Sequence, residues 1–500
     1  MGFSDFRIPG IYTRVFDATQ FVAPSLPLMA GMAGIATKGP FNEVVELTNI
    51  SDFFKTFGPP SVNAQSYYAA DAYFARGNLL RFIRVSGGTP AEALLLLTVT
   101  GGGSSPTIQA ISDGTWGEDI DIYVTTGSAG GATIKLDVYY LGGLVESYDN
   151  LANDSDGAAL LTAINGNSLY VEAVAGVTGG TIVDPQNGSL AGGDDGTPTS
   201  ANYIGTQVGN TRTGLKMFLN RREYPLNLLL CPDANAIHGV QEYLLTLAET
   251  RGDSFALIDG PDSLDADGIV DWVDATGPYT AGNKLDSSFG ATYWPWVQMR
   301  DDKNNQDVWT PTSGHVSGVI AYNDATAWPW FAPAGMARGV MTQAIQTRMP
   351  LLDSEIEDVY ADSRVNTLIR RGGVTINGHK TLQDNTTALR YVEVRRALLA
   401  LRALAEDAAQ RVQFNPDDER TFRELTGNMG PVIDFLLENR AFRDLAFQCD
   451  AAINPSESKR LHRIRGRFYC KPTIAADVII LDLVLTAEGL SFSEQVTQTI

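Results

Sequence analysis

The sequence predicts a multidomain α+β protein: an α/β core domain with a β-rich inserted domain, an α+β C-terminal domain, and extended strand arms at both ends. Three observations predict it. Short apolar runs alternate with helically spaced segments over residues 23–91 and again over 201–350, the mark of one discontinuous α/β domain. Between them, over 92–200, Gly, Ser, Thr and Asp rise and helical spacing is lost. The ends, 1–22 and 487–500, carry apolar side chains in strand-capable stretches too polar to build a core. A length of 500 residues accommodates several domains.

In the N-terminal arm Phe6, Ile8, Ile11, Tyr12 and Val15 surround Pro9-Gly10. Residues 28–35 and 44–48 read as strands, with a turn at Thr37-Lys38-Gly39-Pro40. Ser51-Asp52 opens a capped helix that Phe57-Gly58 closes. Residues 64–74 form a second helix and 79–85 the next strand. In the inserted domain, strands are expected at 93–100, 120–125, 133–140 and 169–174. The loop holding Asp194 and Asp195 lacks the alternating carboxylates and closing Glu of an EF-hand and reads as a solvated turn.

From 201 to 350 the expectation is strand 226–230, helix 236–248, strand 254–259, helix 263–275, strand 291–299 and a helix from Gly314. Pro295 marks strand 291–299 as an edge or a bulge. The C-terminal domain, 351–486, has a short helical piece at 353–360 and a strand pair at 365–370 and 372–382. A long amphipathic helix follows at 388–412. Asp417 or Asp418 caps another helix, and Pro431 opens a third. Residues 478–485 are apolar except for Asp482, so they read as a strand covered on both faces. Val478, Ile480, Leu481 and Leu483 mark that strand as the receiver of a neighbour's arm. Leu490, Phe492 and Val496 follow in the C-terminal arm. Arms of this kind either dock on their own domain or add a strand to a neighbour's sheet. An added strand of about six residues makes about six backbone hydrogen bonds, each worth roughly 0.5–1.5 kcal/mol.

No Gly-x-Ser-x-Gly elbow, Walker loop or metal-ligating His pair is present, so no catalytic residue, metal or cofactor is expected. His238, His315, His379 and His462 stand far apart and read as turn or surface residues. An enzyme on the 201–350 domain is the alternative, marked by a cleft with perturbed ionisable groups. A net charge of −21 argues against nucleic acid as a partner. No run approaches the roughly 20 apolar residues of a membrane span, and the start lacks a secretory pattern, so cytoplasmic synthesis is expected. Lys459, Arg460, Arg463, Arg465, Arg467 and Lys471 reverse the local charge, with Glu457 the only acid among them. Arg463, Arg465 and Arg467 alternate, as on one face of a strand, and form either a solvated edge or a contact for an acidic neighbour. Three cysteines make no metal pattern; they read as free thiols, with Cys449 and Cys470 the candidates for an inter-subunit disulfide.

An ordered series of motifs carries a resemblance. It comprises Pro9-Gly10-Ile11-Tyr12, the run 31–40 (GMAGIATKGP), Ser51-Asp52-Phe53, Phe57-Gly58 and Arg81-Phe82-Ile83-Arg84-Val85. Asp259 with Pro261, the segment 293–296 (YWPW), 311–316 and Ala332-Pro333-Ala334 continue it. Residues 392–396, 414–417, Cys449-Asp450 and Asn454 complete it. The chain resembles the tail sheath proteins of contractile phages and related contractile injection systems. That resemblance implies a structural subunit without catalysis, forming hexameric rings in a helical polymer around a tail tube protein. Baseplate and tail terminator proteins would be further partners. The sheath would be assembled in the host cytoplasm, belong to the virion, and contract to drive the tube through the host envelope. The sheath of a bacterial contractile injection system, pyocin-like or type VI-like, is the variant reading.

Overall fold

A computed structural model of the chain describes residues 29–60, 64–101, 105–154, 157–176, 180–280, 282–455 and 462–476. The arm residues Phe6, Ile8, Ile11, Tyr12, Val15, Leu490, Phe492 and Val496 lie outside the described residues. So do Val478, Ile480, Leu481 and Leu483 of the expected receiving strand.

The core is one nine-stranded sheet. Its strands are β1 (Met29–Gly34), β2 (Val44–Leu47), β3 (Leu79–Arg84), β4 (Leu228–Leu230), β5 (Phe255–Ile258), β6 (Gly290–Trp294), β7 (Val340–Met341), β8 (Asn366–Arg370) and β9 (Val374–Asn377). Their order across the sheet is β7-β9-β8-β6-β5-β4-β1-β3-β2. The strands from β8 to β3 run parallel, and antiparallel β9 and β2 flank them. β1, β4 and β5 carry no polar residue because both faces of the sheet are covered. Ala30, Leu228, Leu230, Phe255 and Leu257 face α1 (Ile50–Phe57) and α2 (Ser66–Phe74). Ala33, Leu229, Ala256 and Ile258 face α3 (His238–Arg251) and α4 (Ala266–Asp274). The helix α5 (Thr312–Thr326) packs on α2 so closely that a Cβ on Gly314 would lie 2.5 Å from Ala69 Cα.

Two expectations change here. The strand expected at 291–299 is two strands: Gly290–Trp294 is central in the core sheet, whereas Val297–Asp301 joins Gln306–Thr310 and Ala344–Thr347 in a second sheet. Pro295 has no N–H to give a ladder, so it stands between the sheets rather than on an edge. The boundary drawn at 350/351 cuts the core sheet, because β8 and β9 pair with it through β6 and β7.

Residues 94–189 build separate antiparallel sheets. One holds Gln186–Ser189, Ile120–Thr126, Thr133–Tyr140 and Gly143–Ala152; the other holds Leu94–Leu96, Thr107–Ala110 and Val171–Val174. Trp116, Ile122, Val138 and Leu160 belong to their own core. The helix Ala158–Ile164 was not expected from the spacing. Buried Arg84 fastens this unit, donating to the carbonyls of Ala36 (2.9 Å), Gly39 (2.8 Å) and Asp113 (3.1 Å). Lys38 reaches across into the rings of Trp116, Tyr140 and Tyr170, 4.9–5.9 Å from their centroids. The Asp194–Asp195 loop is therefore more than a solvated turn: Asp195 lies 3.6 Å from Arg84 and accepts from Thr115.

The last described unit is a helical hairpin, α6 (Val392–Gln410) and α7 (Glu419–Glu438), carrying the strands β10 (Phe442–Gln448) and β11 (Arg467–Pro472). Pro431 opens no new helix; it sits inside α7. The buried stripe Phe422, Leu425, Met429, Val432 and Leu436 runs unbroken through it, and that burial outweighs the one backbone bond proline removes. Among the described residues, no helix is long and apolar enough to cross a membrane.

Candidate subunit interface

The α6–α7 unit meets the core through polar contacts that water does not reach. Arg396 donates to both carboxylate oxygens of Asp324 on α5, and both side chains are buried. His379, at the end of β9, places Nδ1 2.6 Å from Glu393 Oε2, and its ring stacks on Tyr391. The other Glu393 oxygen accepts from the backbone N–H of Ala475 at 3.4 Å, close to the end of the described chain. Trp330 buries its ring against the unit and donates from Nε1 to Asn439 O.

β10 and β11 pair antiparallel, from Phe442 opposite Pro472 to Gln448 opposite Arg467. Two strands alone are marginal in water, so this pair depends on the helices beneath it. Phe442 and Leu445 sink into the core formed with α7, while Arg467, Tyr469 and Lys471 face outward. Among the described residues neither outer edge of the pair has a partner strand. Such edges present unpaired N–H and C=O groups that can template an added strand. Beside the pair runs an apolar groove of about 420 Å³, lined by Leu398, Leu401, Ala405, Met429, Phe447 and Phe468 among others.

The basic candidates are corrected in part. All three arginines are exposed, but only Arg467 is in a strand; Arg463 and Arg465 precede it. Their segment is held by Asn454, whose carboxamide accepts from Arg465 N (2.6 Å) and donates to Arg465 O (2.9 Å). Backbone groups that would enter a ladder are satisfied by one side chain instead. Cys449 and Cys470 are free thiols, as is Cys231, and burial pushes each thiol up. Cys470 faces Leu445, and Cys449 lies beyond Gln448, so the register keeps them apart within one chain.

The histidine expectation fails at two positions. His315 and His379 are buried, and only His462 is exposed. Burial lowers His315 to about 4, with its ring 3.1 Å from Thr310 Oγ1. Nearby, burial raises Asp259 to about 6, although it accepts from Ser313 N (3.0 Å) and Thr312 Oγ1 (3.4 Å) at the start of α5. Asp233, half-buried, is also raised by burial while it accepts from Ile35 N at 2.6 Å and from Gln65 and Ser66. A Cβ at Gly34 would fall on Asp233, so this tie requires the glycine. These carboxylates staple strand ends to helix starts, and none of them lines the groove. Among the described residues, no cluster of three or more His, Cys, Asp and Glu is placed to hold a metal.

No family model matches the chain. Two curated relatives do, both tail sheath proteins. That of Vibrio phage KVP40 is 23% identical over 299 residues, covering 59% of this chain and 40% of the relative. That of Enterobacteria phage T4 is 23% identical over 272 residues, covering 51% and 40%. The chain thus matches about two fifths of the length of these relatives. Among solved structures, the sheath tail protein of Desulfitobacterium hafniense superposes with a TM-score of 0.62 at 12% identity, over 89% of this chain and 94% of that one.

The chain has the fold of a tail sheath protein.

A PVC sheath complex of an extracellular contractile injection system, in the contracted state, matches with a TM-score of 0.55 at 14% identity. It covers 97% of this chain and 99% of that one, so the sheath fold spans all three units described above.

Proposed function

We propose that this chain is the structural subunit of a contractile tail sheath, polymerising as stacked hexameric rings around a tail tube and contracting to drive the tube through a host envelope. The reading rests chiefly on a sheath-fold likeness that runs through nearly the whole chain, including a chain taken from an assembled, contracted sheath. The tail sheath identity of the curated relatives supports the phage version. The injection-system neighbour supports the bacterial variant. The β10–β11 pair, whose edges have no partner strand among the described residues, is the local feature that suits polymerisation: its edges can accept the arms 1–22 and 487–500 of neighbouring subunits. In this account the protein is not an enzyme and takes no cofactor. Its energy resides in the assembled lattice; its partners are copies of itself, tube, baseplate and terminator proteins, and neither nucleic acid nor membrane.

The test is truncation. Removing residues 1–16 or 488–500 leaves a folded chain, checked by circular dichroism, that forms no sheath under the electron microscope. Normal polymers from either truncation refute the strand-exchange account.

A further inference from the structure

Among the described residues the most exposed large apolar side chain lies in a turn. Phe414, in the turn between α6 and α7, is 94% exposed. Its backbone lies at φ 72°, a left-handed conformation that bulky side chains rarely adopt. A large aromatic ring held out in solvent gains free energy when another apolar surface covers it. The same chain offers a cover: the apolar groove of about 420 Å³ between α6, α7 and the strand pair, far roomier than one phenyl ring needs.

Charge matches the two surfaces. Phe414 is followed by exposed Asp418 and Glu419, with exposed Arg411 and Arg420 at the flanks, while the carboxylate of Asp417 is buried. On the groove side, Ile464, Gly466 and Phe468 line the wall while Arg463, Arg465 and Arg467 project between them into solvent. Residues 462–471 hold these arginines and Lys471 and no acid, and Lys471 pairs with Asp444.

We propose that Phe414 of one copy inserts into the α6–α7 groove of a second copy, its acidic neighbours meeting the arginine rim. Knob and groove are different patches, so the contact is heterologous: each copy has one of each, and the pairing repeats into a ring or a helix. This deepens the polymerisation proposed above and rests on it only for the final size of the assembly.

The experiment uses the full-length chain and two variants, Phe414→Ser and Ala405→Trp, the second filling the groove. Sedimentation velocity over a concentration series reads association, and negative-stain microscopy reads tubes. Burying a phenyl ring predicts that Phe414→Ser weakens self-association about 10- to 100-fold. Ala405→Trp, blocking the other half, weakens it comparably. An equimolar mixture of the variants pairs the intact groove of one with the intact Phe414 of the other and associates more strongly than either variant alone. Association that is unchanged in Phe414→Ser, or a mixture that associates no better than either variant, overturns the contact; so does a wild-type chain that stays monomeric. Wild-type oligomers that never become tubes, yet dissociate in Phe414→Ser, support the contact and count against the sheath reading. Tubes that persist in Phe414→Ser do the reverse.

Discussion

Asp259 and His315 flank the start of α5, and their titrations oppose each other. Burial moves Asp259 from an ordinary 3.8 to about 6, so the folded chain holds its proton more tightly than the unfolded chain. Stability from this group therefore falls as pH rises from about 4 to about 6. At about 1.36 kcal/mol per pH unit the fall amounts to about 3 kcal/mol. His315 moves from 6.5 to about 4, so the unfolded chain binds the proton first and stability rises with pH across nearly the same window, again by about 3 kcal/mol. The two contributions cancel in the wild type. Asp259→Asn keeps an acceptor for Ser313 N and removes the falling limb. Between pH 4.5 and 6 this variant gains about 2 kcal/mol more stability than the wild type, and His315→Gln loses about 2 kcal/mol over the same step. Urea unfolding at the two pH values, followed by the fluorescence of buried Trp294 and Trp296, measures both. Variants that run parallel to the wild type from pH 4.5 to 6 refute the reasoning.

Three further outcomes follow from particular contacts. Asp324→Ala strands the Arg396 guanidinium without its partner and costs about 3–5 kcal/mol in urea unfolding, whereas Asp324→Leu with Arg396→Met is near neutral. Gly314→Ala drives a methyl group into the backbone of α2 and costs about 1–3 kcal/mol, read as a lower unfolding midpoint. Reversing Arg463 and Arg465 to Glu leaves stability within about 0.5 kcal/mol, since both are exposed, but weakens assembly most at low salt, as light scattering across a salt series will show.

The core strands were legible because burial on both faces leaves no polar alternation: LNLLL and SFALID announce β4 and β5 directly. Strand Gly143–Ala152 was missed because its side chains are mostly exposed and polar. The helix Ala158–Ile164 is barely two turns long and has no side-chain cap to announce it. Pro431 misled because a local rule lost to a stripe of burial that only the packed hairpin creates. The burial of His379 depends on Glu393, fourteen residues away, and that of Asp324 on Arg396, seventy-two residues away, distances at which composition and spacing carry no signal. The alternation of Arg463, Arg465 and Arg467 was readable, but not that Asn454 would take the backbone bonds of Arg465 out of the ladder. The groove, assembled from α6, α7 and β11, and the exposure of Phe414 had no signature in the sequence at all.

The central claim is assembly into a contractile sheath, and electron microscopy of the full-length chain co-expressed with the proposed tube partner tests it most directly. The account predicts hollow, striated tubes of stacked six-membered rings. Dispersed monomers in the presence of the tube, at concentrations where the partner polymerises, would contradict it.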